Sequence, residues 1–196
     1  MIVGIRHAQV WNPEGVVYAR LAGFHLSDQG RADAGEMAAA VASAPVSAIY
    51  ASPLERAVET AEILAGPHGL TPTIDDRLAE WAFWMRWQGL PWSRIRERDP
   101  QLLELYADDP GSPTLDEPLP AAAERLMRWA RDAEAQHPEG IVLGVTHEAP
   151  LAAALLLGSG SGLGAFHTTH LPHLRCVRLR PGPPDVVDLP ALARSC

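Results

Sequence analysis

Short β-branched and aliphatic runs alternate with stretches of helical spacing along the chain, and this alternation constrains the fold more than any other feature. Strands are predicted at residues 2–5, 46–50, 141–145, 176–179 and 185–189. Helical patterns fall at 27–41, 53–65, 121–136 and 151–157. Ser27 is the expected N-cap of the first. Ser52, Pro53 and Glu55 read as a capping box with proline at the first helical position of the second. Strands that alternate with helices end up covered on both faces, so the expected fold is α/β: a three-layer α/β/α sandwich around a mostly parallel central sheet, in one domain spanning 1–196. The run Arg180-Pro181-Gly182-Pro183-Pro184 predicts a terminal hairpin. Residues 81–120 break the alternation. They carry four of the six tryptophans and the loop Asp108-Asp109-Pro110-Gly111-Ser112-Pro113, and read as a helical and loop insertion that covers a pocket.

Composition narrows the function. Sixteen basic against 24 acidic residues give a net charge of −8, which repels nucleic acid and anionic lipid, so neither is an expected partner. All the basic residues are arginine. A phosphate site in this chain must therefore be built from guanidinium forks, histidines and backbone amides. Cys176 and Cys196 do not form a disulfide framework, a pattern that suits a reducing compartment. Neither a signal-peptide pattern nor an apolar run of roughly 20 residues is evident, and a cytoplasmic location is the expectation.

Polar groups cluster where open α/β sheets bind ligands, at the carboxyl ends of strands. The first strand runs into Arg6-His7, the second into Ser52-Pro53-Leu54-Glu55-Arg56, and the one ending at Val145 into Thr146-His147-Glu148. Two histidines and two arginines thus converge on one rim beside helix N-termini that favour anions. Taken singly, a strand-end histidine is more often a hydrogen-bonded surface residue, and a helical arginine more often pairs with a glutamate on its own helix. Their conjunction outlines a phosphate pocket.

Arg6-His7-Ala8 after the first strand, then Arg20, Gly23, Leu26-Ser27, Gly30 and Ala34, resembles the opening signature of the histidine phosphatase superfamily, which includes the cofactor-dependent phosphoglycerate mutases. Ser52-Pro53-Leu54-Glu55-Arg56-Ala57 with Thr60-Ala61, then Leu78-Ala79-Glu80, and finally Val145-Thr146-His147 match the family's later motifs in order. The resemblance implies a phosphoglycerate mutase-like fold and a phosphomonoesterase acting on a small phosphorylated metabolite, without metal or other cofactor. It implies that His7 attacks phosphorus, that Arg6, Arg56 and His147 hold the equatorial oxygens, and that Glu80 serves as acid and then base.

The sequence departs from the family pattern at four places. Ala8 stands where glycine follows the nucleophile, and Val10 where threonine is usual. Asn12, one residue early, is the only counterpart of a phosphate-binding asparagine. Glu148 replaces the glycine after the second histidine, and could meet the substrate or point into solvent. Trp81, Trp84 and Trp87, with Trp92 nearby, suit either a core stripe or an aromatic wall beside Glu80. His167, His170 and His173 invite a metal reading, but their spacing fits neither a strand face nor the helical pair, and no metal site is expected. A mutase and a catalytically silent phosphate-binding module are the alternative functions. Assembly into a homodimer is left open.

Overall fold

The computed structural model describes residues 1–180 and 182–193. Pro181 of the expected hairpin turn and Cys196 lie outside the described residues. In chain order the elements are β1 (Ile2–Arg6), α1 (Asp28–Ala40), β2 (Val46–Ala51), α2 (Glu55–Ala65), β3 (Thr73–Ile74), α3 (Ile95–Arg98), α4 (Pro100–Asp108), α5 (Leu119–Gln136), β4 (Ile141–Thr146), α6 (Glu148–Gly158), β5 (Cys176–Leu179), β6 (Asp185–Val187) and α7 (Leu189–Ala193), with short 3-10 turns between them.

The six strands form one sheet in the order β3-β2-β4-β1-β5-β6. Pairings β2–β3, β2–β4 and β1–β4 are parallel, while β1–β5 and β5–β6 are antiparallel. The expected mostly parallel sheet is therefore present, with an antiparallel edge. The two central strands are buried along their whole length, as strands covered on both faces must be. Val3, Ile5, Leu143 and Val145 pack toward the side holding Ala38 and Val41 of the α1 region and Ala57, Ala61 and Leu64 of α2. Ile2, Val142 and Val177 pack toward the side holding Leu126 and Trp129 of α5 and Leu151 of α6. Gly144 of β4 admits this second layer at close range, since a Cβ there would lie 2.2 Å from the Trp129 ring.

Several expected boundaries move, each for a local reason. The strand expected to reach Leu189 stops at Val187. Asp188 turns the chain there, its Oδ1 accepting the Ala191 amide, and Pro190 fits the first turn of α7, where no amide donor is needed. Helix α6 begins at Glu148 instead of Leu151, with Pro150 in its first turn, and α5 begins at Leu119 with Pro120 likewise placed. The capping box at the start of α2 does not form. The N-cap is Leu54 without a side-chain bond, the Ser52 hydroxyl lies 2.8 Å from His147 Nε2, and the Glu55 carboxylate accepts the Gly23 amide. Ser27, by contrast, caps α1 as expected by accepting from Gly30. Residues 81–120 contain a 3-10 turn over Ala82–Trp87, then α3, α4 and a loop.

Candidate active site

Register assembles the site. Arg6 pairs with Thr146 across the parallel β1–β4 ladder, so His7 and His147 leave the sheet side by side. The His7 amide bonds the Thr146 carbonyl at 2.9 Å, and the Ser52 amide bonds the Val145 carbonyl at 2.9 Å. Three adjacent strand ends thereby deliver His7, His147 and Ser52 to one point.

Hydrogen bonding fixes opposite tautomers in the two histidines. His7 Nδ1 lies 2.8 Å from the Ala8 carbonyl oxygen, which can only accept, so Nδ1 carries the proton and Nε2 keeps its lone pair. That lone pair accepts from Arg56 Nε at 3.2 Å. His147 is the reverse: Nδ1 accepts from Arg56 Nη2 at 3.2 Å, leaving Nε2–H to donate to Ser52 Oγ. Burial, then the neighbouring Arg56, holds both imidazoles well below the ordinary histidine pKa. His7 is thus a neutral imidazole, the form in which nitrogen is nucleophilic.

Arg56 is the centre of the cluster. It is fully buried, donates also to the Ala19 carbonyl at 2.8 Å, and lies over the Tyr18 ring at 4.7 Å. Its Nη1 and the Arg6 Nε are buried without a hydrogen-bond partner. Two guanidinium donors are therefore left for a ligand oxygen, the expected signature of an anion site made of arginine forks. Thr60 ties the parts together, its Oγ1 accepting the Ala8 amide at 3.1 Å and donating to the Arg56 carbonyl at 2.7 Å.

Glu80 lines the same cavity, of about 270 Å³, with Arg6 and His7. Burial is the largest influence on its carboxyl and raises its pKa, against the Trp81 amide, Arg56 and Arg6. Arg20 and Arg125 both donate to its backbone carbonyl, at 2.7 and 3.2 Å, and so fix where it sits. A carboxyl whose acidity burial weakens, in one cavity with an imidazole whose basicity burial lowers, is the pairing that general-acid chemistry needs.

The departures from the expected pattern resolve individually. Ala8 is outside the positive-φ region, where only Ala19 and Leu174 stand among the described non-glycine residues, so the extra methyl is accommodated without backbone strain. Val10 pairs with Leu26. Asn12 is not brought into the pocket: its Nδ2 donates to the Val16 carbonyl and its Oδ1 accepts the Val16 amide, closing the loop between them. Glu148 does not point away into solvent. It lines the cavity, binds Arg6 Nη1 at 2.9 Å and His170 Nδ1 at 2.7 Å, and accepts the Leu171 amide. The three late histidines do not gather: His167 lines the cavity, His170 joins Glu148, and His173 lies with its ring 5.6 Å from that of His7. Among the described residues no cluster of histidine, cysteine and carboxylate side chains suits a metal ion. The tryptophans divide between the two readings. Trp81 and Trp87 are core, whereas Trp84 and Trp92 line the cavity. Sequence reasoning missed Tyr18, Tyr106 and Phe166, which also line it and lie in stretches without distinctive spacing.

Fold and site together define an enzyme that hydrolyses phosphate esters. The chain belongs to the histidine phosphatase superfamily, branch 1, whose family model matches residues 2–186. The uncharacterized protein Rv0525 of Mycobacterium tuberculosis is 34% identical over 159 residues, covering 81% of this chain and 78% of that protein. Phosphoserine phosphatase 1 of Hydrogenobacter thermophilus is 27% identical over 168 residues, 84% of this chain and 79% of that one. The fold is shared with a mycobacterial glucosyl-3-phosphoglycerate phosphatase solved with VO3, at a TM-score of 0.79 and 24% identity, covering 95% of this chain and 96% of that one. No helix among the described residues is long and apolar enough to cross a membrane.

Proposed function

We propose that the chain hydrolyses a small phosphate monoester in two steps through a phosphohistidine on His7. The ester phosphate docks on Arg6 and Arg56, which supply the positive charge. His7 Nε2 attacks phosphorus and the P–O ester bond breaks. Glu80 gives its proton to the departing alkoxide. Glu80, now a carboxylate, takes a proton from water, which attacks phosphorus, breaks the P–N bond and releases inorganic phosphate. His147 orients Arg56 through its Nδ1, and its own N–H is held by Ser52.

The observation that carries this reading is the tautomer of His7. A neutral imidazole keeps its lone pair on Nε2, where Arg56 Nε donates to it, beside two guanidinium donors that lack partners. With the acid, the nucleophile and both arginines in place, a silent module has nothing in its favour. A mutase must hold a second anionic group, and Arg6 is the one arginine among the residues lining the cavity.

The test is direct. Incubation with p-nitrophenyl phosphate, followed by rapid quench at alkaline pH, should leave an acid-labile phosphate on His7. His7→Ala should abolish label and turnover together, and chelator should affect neither in the wild type. Label that survives in His7→Ala, or turnover without it, would overturn the scheme.

A further inference from the structure

The cavity has a second half that the phosphate chemistry does not use. Trp84 and Trp92 stand with ring centroids 5.3 Å apart at 73°, and Tyr106 and Phe166 5.9 Å apart at 78°. Trp84 and Tyr106 link the two pairs at 5.2 Å and 54°. All four rings line the cavity. Rings this close and this steep pack edge against face, so the four form one continuous aromatic wall of the cavity. Their electron-rich faces attract a cation, most strongly one that has shed water.

The charges on the lining point the same way. Its one arginine, Arg6, belongs to the phosphate end and pairs with Glu148, which His170 also meets; His167 completes the basic members, and Glu148 and Glu80 are the acidic ones. Glu148 is close enough to the cage to raise the Tyr106 phenol, which burial and that carboxylate together push to about 12. A carboxylate on the substrate would find no second arginine there. A positive group attached a short distance from the phosphate would find Glu148 and the aromatic wall in the same cavity. The volume, about 270 Å³, suits a small guest.

We propose that Trp84, Trp92, Tyr106 and Phe166 form a cation cage, with Glu148 at its edge, and that the substrate is a small phosphate monoester whose alcohol carries an alkylated ammonium group. This rests on the hydrolase reading above. It also gives the glutamate after the second histidine a partner once phosphate engages Arg6: the substrate's own positive charge joins His170 at that carboxylate.

The experiment compares choline phosphate with 3,3-dimethylbutyl phosphate, which has the same shape with carbon replacing the charged nitrogen. The wild type should favour the cationic ester in kcat/KM by at least about tenfold. Trp84→Leu and Glu148→Gln should each pull that ratio toward one. Trp92→Leu, at a half-exposed position, supplies the same test should Trp84→Leu not fold. Equal or reversed preference in the wild type overturns the cage. Turnover of p-nitrophenyl phosphate alone would likewise overturn it, while leaving the hydrolase reading intact. Should no ester be turned over, the hydrolase reading falls, and calorimetry with the same pair decides the cage. Tighter binding of choline phosphate supports the cage; equal or absent binding overturns it.

Discussion

His7 and Glu80 depart from their ordinary acidities in opposite directions, and the chemistry requires both departures. Burial keeps His7 neutral at pH values where an exposed histidine would be protonated, and keeps Glu80 protonated where an exposed glutamate would not be. The acid limb of kcat/KM belongs to His7, whose nucleophilic form is lost only as pH falls through its lowered pKa. In the proposed scheme the alkaline limb belongs to Glu80, whose donating form is lost as pH rises through its raised pKa. Activity on alkyl phosphates should therefore persist well below about pH 6.5, the ordinary histidine value, and decline as pH rises through the raised Glu80 pKa. Pre-steady-state pH profiles check this. Glu80→Gln should slow phosphorylation by alkyl esters about 10²–10⁴-fold and remove the alkaline limb, with little effect on the p-nitrophenyl phosphate burst, whose leaving group needs no proton. Equal losses for both esters would move the acid role to another group.

Among the elements, α1 holds the loop that follows the nucleophile. The Gln9 carbonyl accepts the Ser27 amide at 2.9 Å, and a Cβ on Gly30 would lie 2.2 Å from that same oxygen. Gly35, on the same helix, has open space where its Cβ would go. Gly30→Ala should thus destabilise by about 1–3 kcal/mol through overpacking, and Gly35→Ala should stabilise by about 0.5–1 kcal/mol through helix propensity. Urea unfolding of the pair separates a packing glycine from an incidental one. These contacts also show what the sequence could disclose. Strand ends announce themselves through hydrophobic runs that stop at Arg6, Tyr50 and Val145, so the meeting of His7, Arg56 and His147 was legible. Ser52 was misread as a cap because its hydroxyl serves His147, a residue 95 positions away, and local pattern carries no trace of that. The tryptophan spacing of three is the period of the 3-10 turn over Ala82–Trp87, which helical spacing near 3.6 does not anticipate. Glu148 was seen as a departure, but its partners Arg6, His170 and Leu171 come from a strand and a loop whose meeting only the tertiary fold decides.

At the scale of the whole molecule, the fully buried Arg56 makes no direct ion pair among the described residues, and Glu80 and Glu55 act on it only from a distance. The groups touching Arg56 are two imidazole nitrogens, the Ala19 carbonyl and the Tyr18 face. A buried charge without a directly bonded opposite one costs stability, and an anion on the two unsatisfied guanidinium donors would return it. Inorganic phosphate should raise the melting temperature by about 5–10 °C at a hundredfold excess over its Kd. Arg56→Gln should flatten that dependence, and a scanning-calorimetry series in phosphate and in sulfate-free control buffer measures it. In the proposed cycle the product is also the anion those donors would hold, so its release works against the charge of the pocket. Where phosphate is plentiful, each new ester must evict the residue of an earlier turnover. The rate should then fall as free phosphate rises, through mass action at the pocket itself, a form of feedback that needs no second site.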